Sequence, residues 1–190
     1  MRNSTLLFIA LCLIPSLGIE ALPAKVFIIR HADKPEKIET GNSLSIKGHE
    51  RAAAFVPYFM ETPSLITAGT PVAIYAMAPE SSDTYSHSIE TVTPLAEKLK
   101  LTLITKFDKA NYKKMVDEIK TTVAYNGKTV LICWDHSVIP EMARAFGALQ
   151  TPARWPNTAF DRVWEISYSS TSKALFHNTA QRLLYGDSAA

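Results

Sequence analysis

The sequence predicts an α/β domain, a three-layer sandwich with a mostly parallel central sheet and helices on both faces. Two observations carry that prediction. Apolar runs at residues 26–29, 71–77 and 129–134 are the length of strands buried on both faces. Stretches with apolar residues at helical spacing lie between them, and alternating strands and helices build parallel sheets with covered faces.

In chain order, Val26-Phe27-Ile28-Ile29 forms the first strand and stops at Arg30-His31. Residues 33–41 are charged and broken by Pro35 and Gly41, so they form a loop. Ser45 is placed to cap a helix from Ile46 to about Met60, which Pro57 is expected to bend or end early. Residues 63–70 make a turn region, 71–77 the second strand and 79–88 a serine-rich loop. Residues 89–99 carry helical spacing, with Pro94 tolerated if the helix starts near Thr93. A short strand is expected at 101–104 and an amphipathic helix at 112–123, closed by Asn126-Gly127. The third long strand, 129–134, ends in Asp135-His136-Ser137. A helix at 139–146, a loop at 152–156, an alternating strand at 162–168 and an edge strand at 174–176 complete the chain.

At 190 residues with 47% apolar and 20% charged residues, the composition is that of one globular domain with a substantial core. A formal net charge of +2 gives no electrostatic case for nucleic acid or for an anionic membrane. Residues 1–21 have the form of a secretory signal peptide: Arg2, an apolar run from Leu6 to Ile14, a break at Pro15, then small residues offering cleavage between 18 and 24. The run is shorter than the ~20 residues of a membrane span. Cys12 lacks the preceding small residue of a lipidation site. The expected mature protein is therefore a single domain over 22–190, secreted or periplasmic, with no membrane contact after cleavage. It retains only Cys133, inside an apolar run, which predicts an inert buried thiol and no intramolecular disulfide.

Two buried strands end in a polar group containing histidine, Arg30-His31 and Asp135-His136. Ligands bind at the carboxyl ends of strands in open α/β sheets, so parallel neighbours would bring both histidines to one rim. A guanidinium that can fork onto two oxygens, beside a titratable imidazole, suits a phosphoryl group.

The residues Ile28-Ile29-Arg30-His31-Ala32-Asp33-Lys34-Pro35, followed by Leu44-Ser45-Ile46-Lys47-Gly48-His49-Glu50-Arg51-Ala52, resemble the opening motifs of the histidine phosphatase superfamily, the phosphoglycerate mutase-like proteins. Glu90-Thr91 with Pro94-Leu95-Ala96, the strand Val130 to His136 and the segment Phe160-Asp161-Arg162-Val163-Trp164 extend the likeness over almost all of the mature chain. The resemblance implies that His31 takes the phosphoryl group as a phosphohistidine, that Arg30 clamps its oxygens and that His136 donates to them. An imidazole can attack phosphorus near neutral pH, and cationic donors supply the charge neutralisation. No cofactor is expected, and no His, Cys or carboxylate cluster has metal-ligand spacing.

The chain departs from the pattern in two places. His87 stands where the resemblance puts a second phosphate-binding arginine, and an imidazole cannot make a bidentate fork. A solvated loop residue is the alternative reading of His87. Ala32 replaces a glycine. For the general acid, Asp135 is the first candidate, with Asp108 and Glu80 behind it. Asp33 is expected to pair with Lys34 or to cap its loop, Arg51 to form a surface salt bridge, and His49 and His177 to lie on the surface. Ser137 lacks the glycine-flanked elbow of a serine nucleophile. The expected partner is a small phosphorylated substrate or inorganic phosphate. Two functions follow: an exported phosphatase acting on a small phosphomonoester, or a catalytically impaired relative that binds a phosphorylated or anionic ligand or a protein partner.

Overall fold

The computed structural model describes residues 22–35, 43–79, 87–168 and 173–188. The expected leader, 1–21, and Glu80 lie outside them. Five strands, β1 (Lys25–Arg30), β2 (Pro71–Ala76), β3 (Thr129–Trp134), β4 (Arg162–Tyr168) and β5 (Ala174–Ala180), form one sheet in the order β2-β3-β1-β4-β5. Four helices, α1 (Ile46–Glu61), α2 (His87–Leu99), α3 (Tyr112–Thr121) and α4 (Ile139–Ala145), cover it.

Successive side chains of the central strands point to opposite faces and build two cores. Val26, Ile28, Val130, Ile132 and Trp134 pack with Met115 and Ile119 of α3 and Met142 of α4. Phe27, Ile29, Leu131 and Cys133 pack with Phe55 and Phe59 of α1 and Val92 and Leu95 of α2. This is the expected three-layer sandwich.

The sheet is only partly parallel. β1 and β2 both pair parallel with β3, whereas β4 runs antiparallel to β1 and β5 antiparallel to β4. After α4 the chain returns to the rim where β1 and β3 end, so β4 starts there and runs back down. Only five residues separate β5 from β4, and a connection that short joins antiparallel strands. β4 is buried at Val163, Trp164 and Ile166, and β5, at the edge of the sheet, is exposed or half-buried until Ala180.

Other boundaries moved for local reasons. The expected strand at 101–104 is a single parallel bridge between Tyr75 and Ile104. α1 continues through Pro57 to Glu61, α3 stops at Thr121, and β5 extends to Ala180. α2 starts at His87 rather than near Thr93, with Pro94 inside it. Its first turn is tied to the rest of the rim: Ala32 N donates to Thr91 Oγ1 at 2.7 Å, and Ser43 Oγ and Leu44 N donate to the Glu90 carboxylate at 2.6 and 3.0 Å. Tertiary hydrogen bonds of this kind outweigh the intrinsic cost of a proline one turn later.

Candidate active site

Arg30 faces Trp134 across the parallel pair, so His31 and Asp135 leave the sheet side by side at its carboxyl edge. His31 is buried, 8% exposed. Its Nδ1 lies 2.9 Å from the Ala32 carbonyl oxygen. A carbonyl only accepts, so Nδ1 carries the proton and Nε2 keeps its lone pair, the tautomer a nucleophile needs. Burial lowers the His31 pKa to about 4, reinforced by the charges of Arg30, His87 and Lys34 and opposed by the Ala32 bond. The ring is therefore neutral at physiological pH.

His87, at the first position of α2, packs against His31 with ring centroids 5.2 Å apart. It is partly buried beside the other imidazole, so the alternative of a solvated loop residue does not hold. Desolvation lowers its pKa below the usual imidazole value, against the pull of Glu90.

Arg30 stands on the other side of the strand end. Its Nη1 donates to the carbonyls of Asn157 at 2.6 Å and Ala159 at 3.3 Å, and its guanidinium lies 3.8 Å from the Phe160 ring centroid. Phe160 also touches His31, with centroids 5.8 Å apart. Desolvation brings Arg30 down to about 10, which still leaves it cationic. Its buried Nε has no hydrogen-bond partner among the described residues. A buried donor left unpaired is costly, and an anion within reach of it would remove that cost.

His136 Nε2 donates to Asn157 Oδ1 at 3.0 Å. Desolvation and the Arg30 charge lower its pKa. Asn157 thus links the two groups, its carbonyl oxygen on Arg30 and its amide oxygen on His136. Among the described residues the two imidazoles, His31 and His136, make no direct contact. The Arg30 charge acts on both of them.

The expected acid does not fit its assignment. Burial alone raises the Asp135 carboxyl, but hydrogen bonds from the Ser137 hydroxyl and amide and from Lys109 outweigh it and bring the pKa to about 2. Asp135 is a carboxylate that shapes the turn presenting His136. Asp108 is also held ionised, by bonds from the Asn111 side chain and amide. Cys133 is fully buried and desolvation pushes its thiol up to about 12, as an inert thiol requires.

Arg51 and Asp33 correct two further expectations. Arg51 is 1% exposed rather than on the surface. Its Nε donates to Asp33 Oδ2 at 2.6 Å, and its two terminal nitrogens grip Asp187 at 2.9 and 2.8 Å. Asp33 therefore pairs with Arg51, not Lys34, while its carbonyl accepts from Ser45 N and Oγ. Ser45 caps α1 as predicted, accepting from Gly48 N. Gly48 is required here: a Cβ at that position would meet the Asp33 carbonyl oxygen at 2.1 Å. His49 and His177 are exposed, as expected.

Asn157, Phe160 and Thr91 were missed by sequence reasoning. Arg30 is held through main-chain carbonyls of 157 and 159, which leave no mark on residue identity.

The sheet with its covering helices is the fold of solved histidine phosphatase structures. A solved structure of the protein histidine phosphatase SixA complexed with tungstate matches with a TM-score of 0.54 and 11% identity, covering 83% of this chain and 97% of that one. A phosphoglycerate mutase from Plasmodium falciparum matches at a TM-score of 0.48 and 13% identity, over 87% of this chain and 96% of its own. A putative phosphohistidine phosphatase SixA from Agrobacterium tumefaciens matches at 0.44 and 11%, over 77% and 93%. No family model matches the sequence, and no curated protein does.

Proposed function

We propose that the protein is an exported phosphatase that hydrolyses a small phosphomonoester through a phosphohistidine on His31. The observation that carries the reading is a neutral, buried imidazole with its Nδ1 proton fixed on Ala32, beside the Arg30 guanidinium with an unpaired Nε. In this reading His31 Nε2 attacks phosphorus and the P–O bond to the alcohol breaks. Arg30, His136 and His87 steady the phosphoryl oxygens, and water then cleaves the P–N bond to release phosphate. That the SixA neighbour was solved complexed with tungstate, a phosphate analogue, is consistent with a phosphate-type ligand for this fold. The signal-like pattern of residues 1–21 supports export.

No carboxylic acid among the described rim residues is held protonated, so the fastest substrates are those whose leaving oxygen needs little help, such as aryl esters. The test is hydrolysis of ³²P-labelled phenyl phosphate by the purified protein, with an alkaline detergent quench to trap ³²P on the chain. Label that is acid-labile, alkali-stable and absent from His31→Ala supports the reading. Turnover that persists in His31→Ala overturns it.

The second reading, a phosphate-binding relative without turnover, is favoured by one observation: His87 is lowered in pKa, so the second cation is missing at neutral pH. Phosphate binding without hydrolysis at any pH would select it.

A further inference from the structure

Two cavities open beside the 152–160 segment. The larger, about 500 Å³, lies beyond Phe160 around Arg51 and shares Arg154 with the smaller, and in it Asp33, Asp161 and Asp187 face the cations. The smaller, about 250 Å³, reaches the catalytic rim itself and is bounded by His136, Ser137, Asn157, Trp155 and Arg154. Pockets for drug-sized ligands run to roughly 300–1,000 Å³, so this one holds a substituent rather than a whole molecule.

Its electrostatics are one-sided. Arg154 is exposed and has no hydrogen bond or ion pair among the described residues. The carboxylate before His136, Asp135, is already occupied by Ser137 and by Lys109 at 3.2 Å. Ser137 and Asn157 add neutral polar groups, and Trp155 gives an apolar floor. A molecule whose phosphoryl group sits between Arg30 and His136 has this cavity as its next space, and meets an unpaired guanidinium there.

We propose that this cavity is a subsite for a second acidic group on the phosphorylated ligand, with Arg154 as the cation that receives it. The inference rests on the phosphoryl reading above and narrows it to phosphomonoesters that carry a carboxylate or a further phosphate a few bonds from the ester oxygen. Arg154 is suited to the task because its fork matches either group.

The experiment uses His31→Ala protein, which cannot turn the ligand over, and compares binding of phenyl phosphate with 4-carboxyphenyl phosphate by calorimetry. The expected ratio is about fivefold in favour of the carboxylate, the scale of an exposed ion pair. In His31→Ala/Arg154→Gln the ratio falls to about one, and in His31→Ala/Arg154→Glu it inverts, while Arg154→Lys retains part of it. A ratio near one with Arg154 present, or one unmoved by Arg154→Gln, overturns the subsite. If the wild type fails to hydrolyse either ester but the ratio behaves as expected, the phosphatase reading falls and the subsite stands. If neither ester binds, both fall.

Discussion

His87 lies against His31, ring centroids 5.2 Å apart and planes inclined by 33°. The two rings titrate in the same direction with opposite consequences. His31, lowered to about 4, is a neutral nucleophile at every pH above that value. His87, lowered from 6.5, is a phosphate-binding cation only below its depressed pKa. A site that needs both conditions works between them. The expected kcat/KM profile is therefore bell-shaped with an acidic optimum between about 4 and 6.5. His87→Arg removes the upper limb and tightens phosphate by about tenfold, the worth of a charge-assisted hydrogen bond at ~1.5 kcal/mol. Profiles of the same shape in both proteins would take His87 out of the site.

Asn157 joins the two halves of the rim, and its side chain can be removed without disturbing its carbonyl bond to Arg30. Asn157→Ala is expected to lower kcat about fivefold, at ~1 kcal/mol for a lost neutral bond. Asn157→Asp places a carboxylate on the His136 ring and raises its pKa. Imidazole proton shifts followed by NMR give the direction, and an unchanged His136 titration in both variants contradicts the link.

How far the sequence foretold these features depends on what fixed each one. The central strands and the meeting of Arg30-His31 with Asp135-His136 at one edge were legible, because burial on both faces leaves an unbroken apolar run that ends where water begins. The partner of Arg51 was not: Asp187 is 136 residues away, and no local pattern tells a buried arginine from a surface one. Nor was the start of α2, which is set by Thr91 and Glu90 bonding to residues 32, 43 and 44. The acid role expected of Asp135 sits badly with its surroundings: the Ser137 hydroxyl and amide, two residues on, hold it as a carboxylate, with Lys109 from a turn far off in sequence adding to them.

Arg51 ties α1 to the loop behind the nucleophile and to the C-terminal segment, through Asp33 and Asp187. Removing one partner of a buried ion cluster leaves charge without compensation, which costs about 3–5 kcal/mol. Arg51→Met is expected to lose that much in denaturant titrations. Adding Asp187→Asn should recover part of the loss. A loss below 1 kcal/mol, by the same ~1 kcal/mol scale that exposed pairs reach, would mean the cluster is not sealed from water.

Asp135, held at about 2, has no proton to give above acid pH. Rates should therefore climb steeply as the leaving alcohol becomes more acidic across a series of aryl and alkyl esters. Asp135→Asn is expected to leave that slope unchanged, because the carboxylate shapes the turn before His136 rather than protonating the leaving oxygen. A slope that steepens in the variant assigns Asp135 as the acid after all.

Stability in acid reports on the rim histidines: desolvation lowers His31, His87 and His136 alike, and His31 is the one brought down as far as about 4. Unfolded, the imidazole has the ordinary value of 6.5, and in the fold burial lowers it to about 4. Between those two values the unfolded chain binds a proton that the folded one does not, so stability must fall as the pH drops from 6.5 towards 4. With a shift of this size in a ring only 8% exposed, the loss is about 3 kcal/mol at 1.36 kcal/mol per pH unit. Asp135 and Asp187, each brought to about 2 where bonds from Ser137 and from Arg51 outweigh the effect of burial, lose their contribution only below 3.8. The two steps are separable on the pH axis. Denaturant titrations from neutral to pH 4 are expected to show the first step in the wild type and a smaller one in His31→Gln, which keeps only the share of His87 and His136. An equal loss in both proteins would place the acid-sensitive group elsewhere than in the His31 ring.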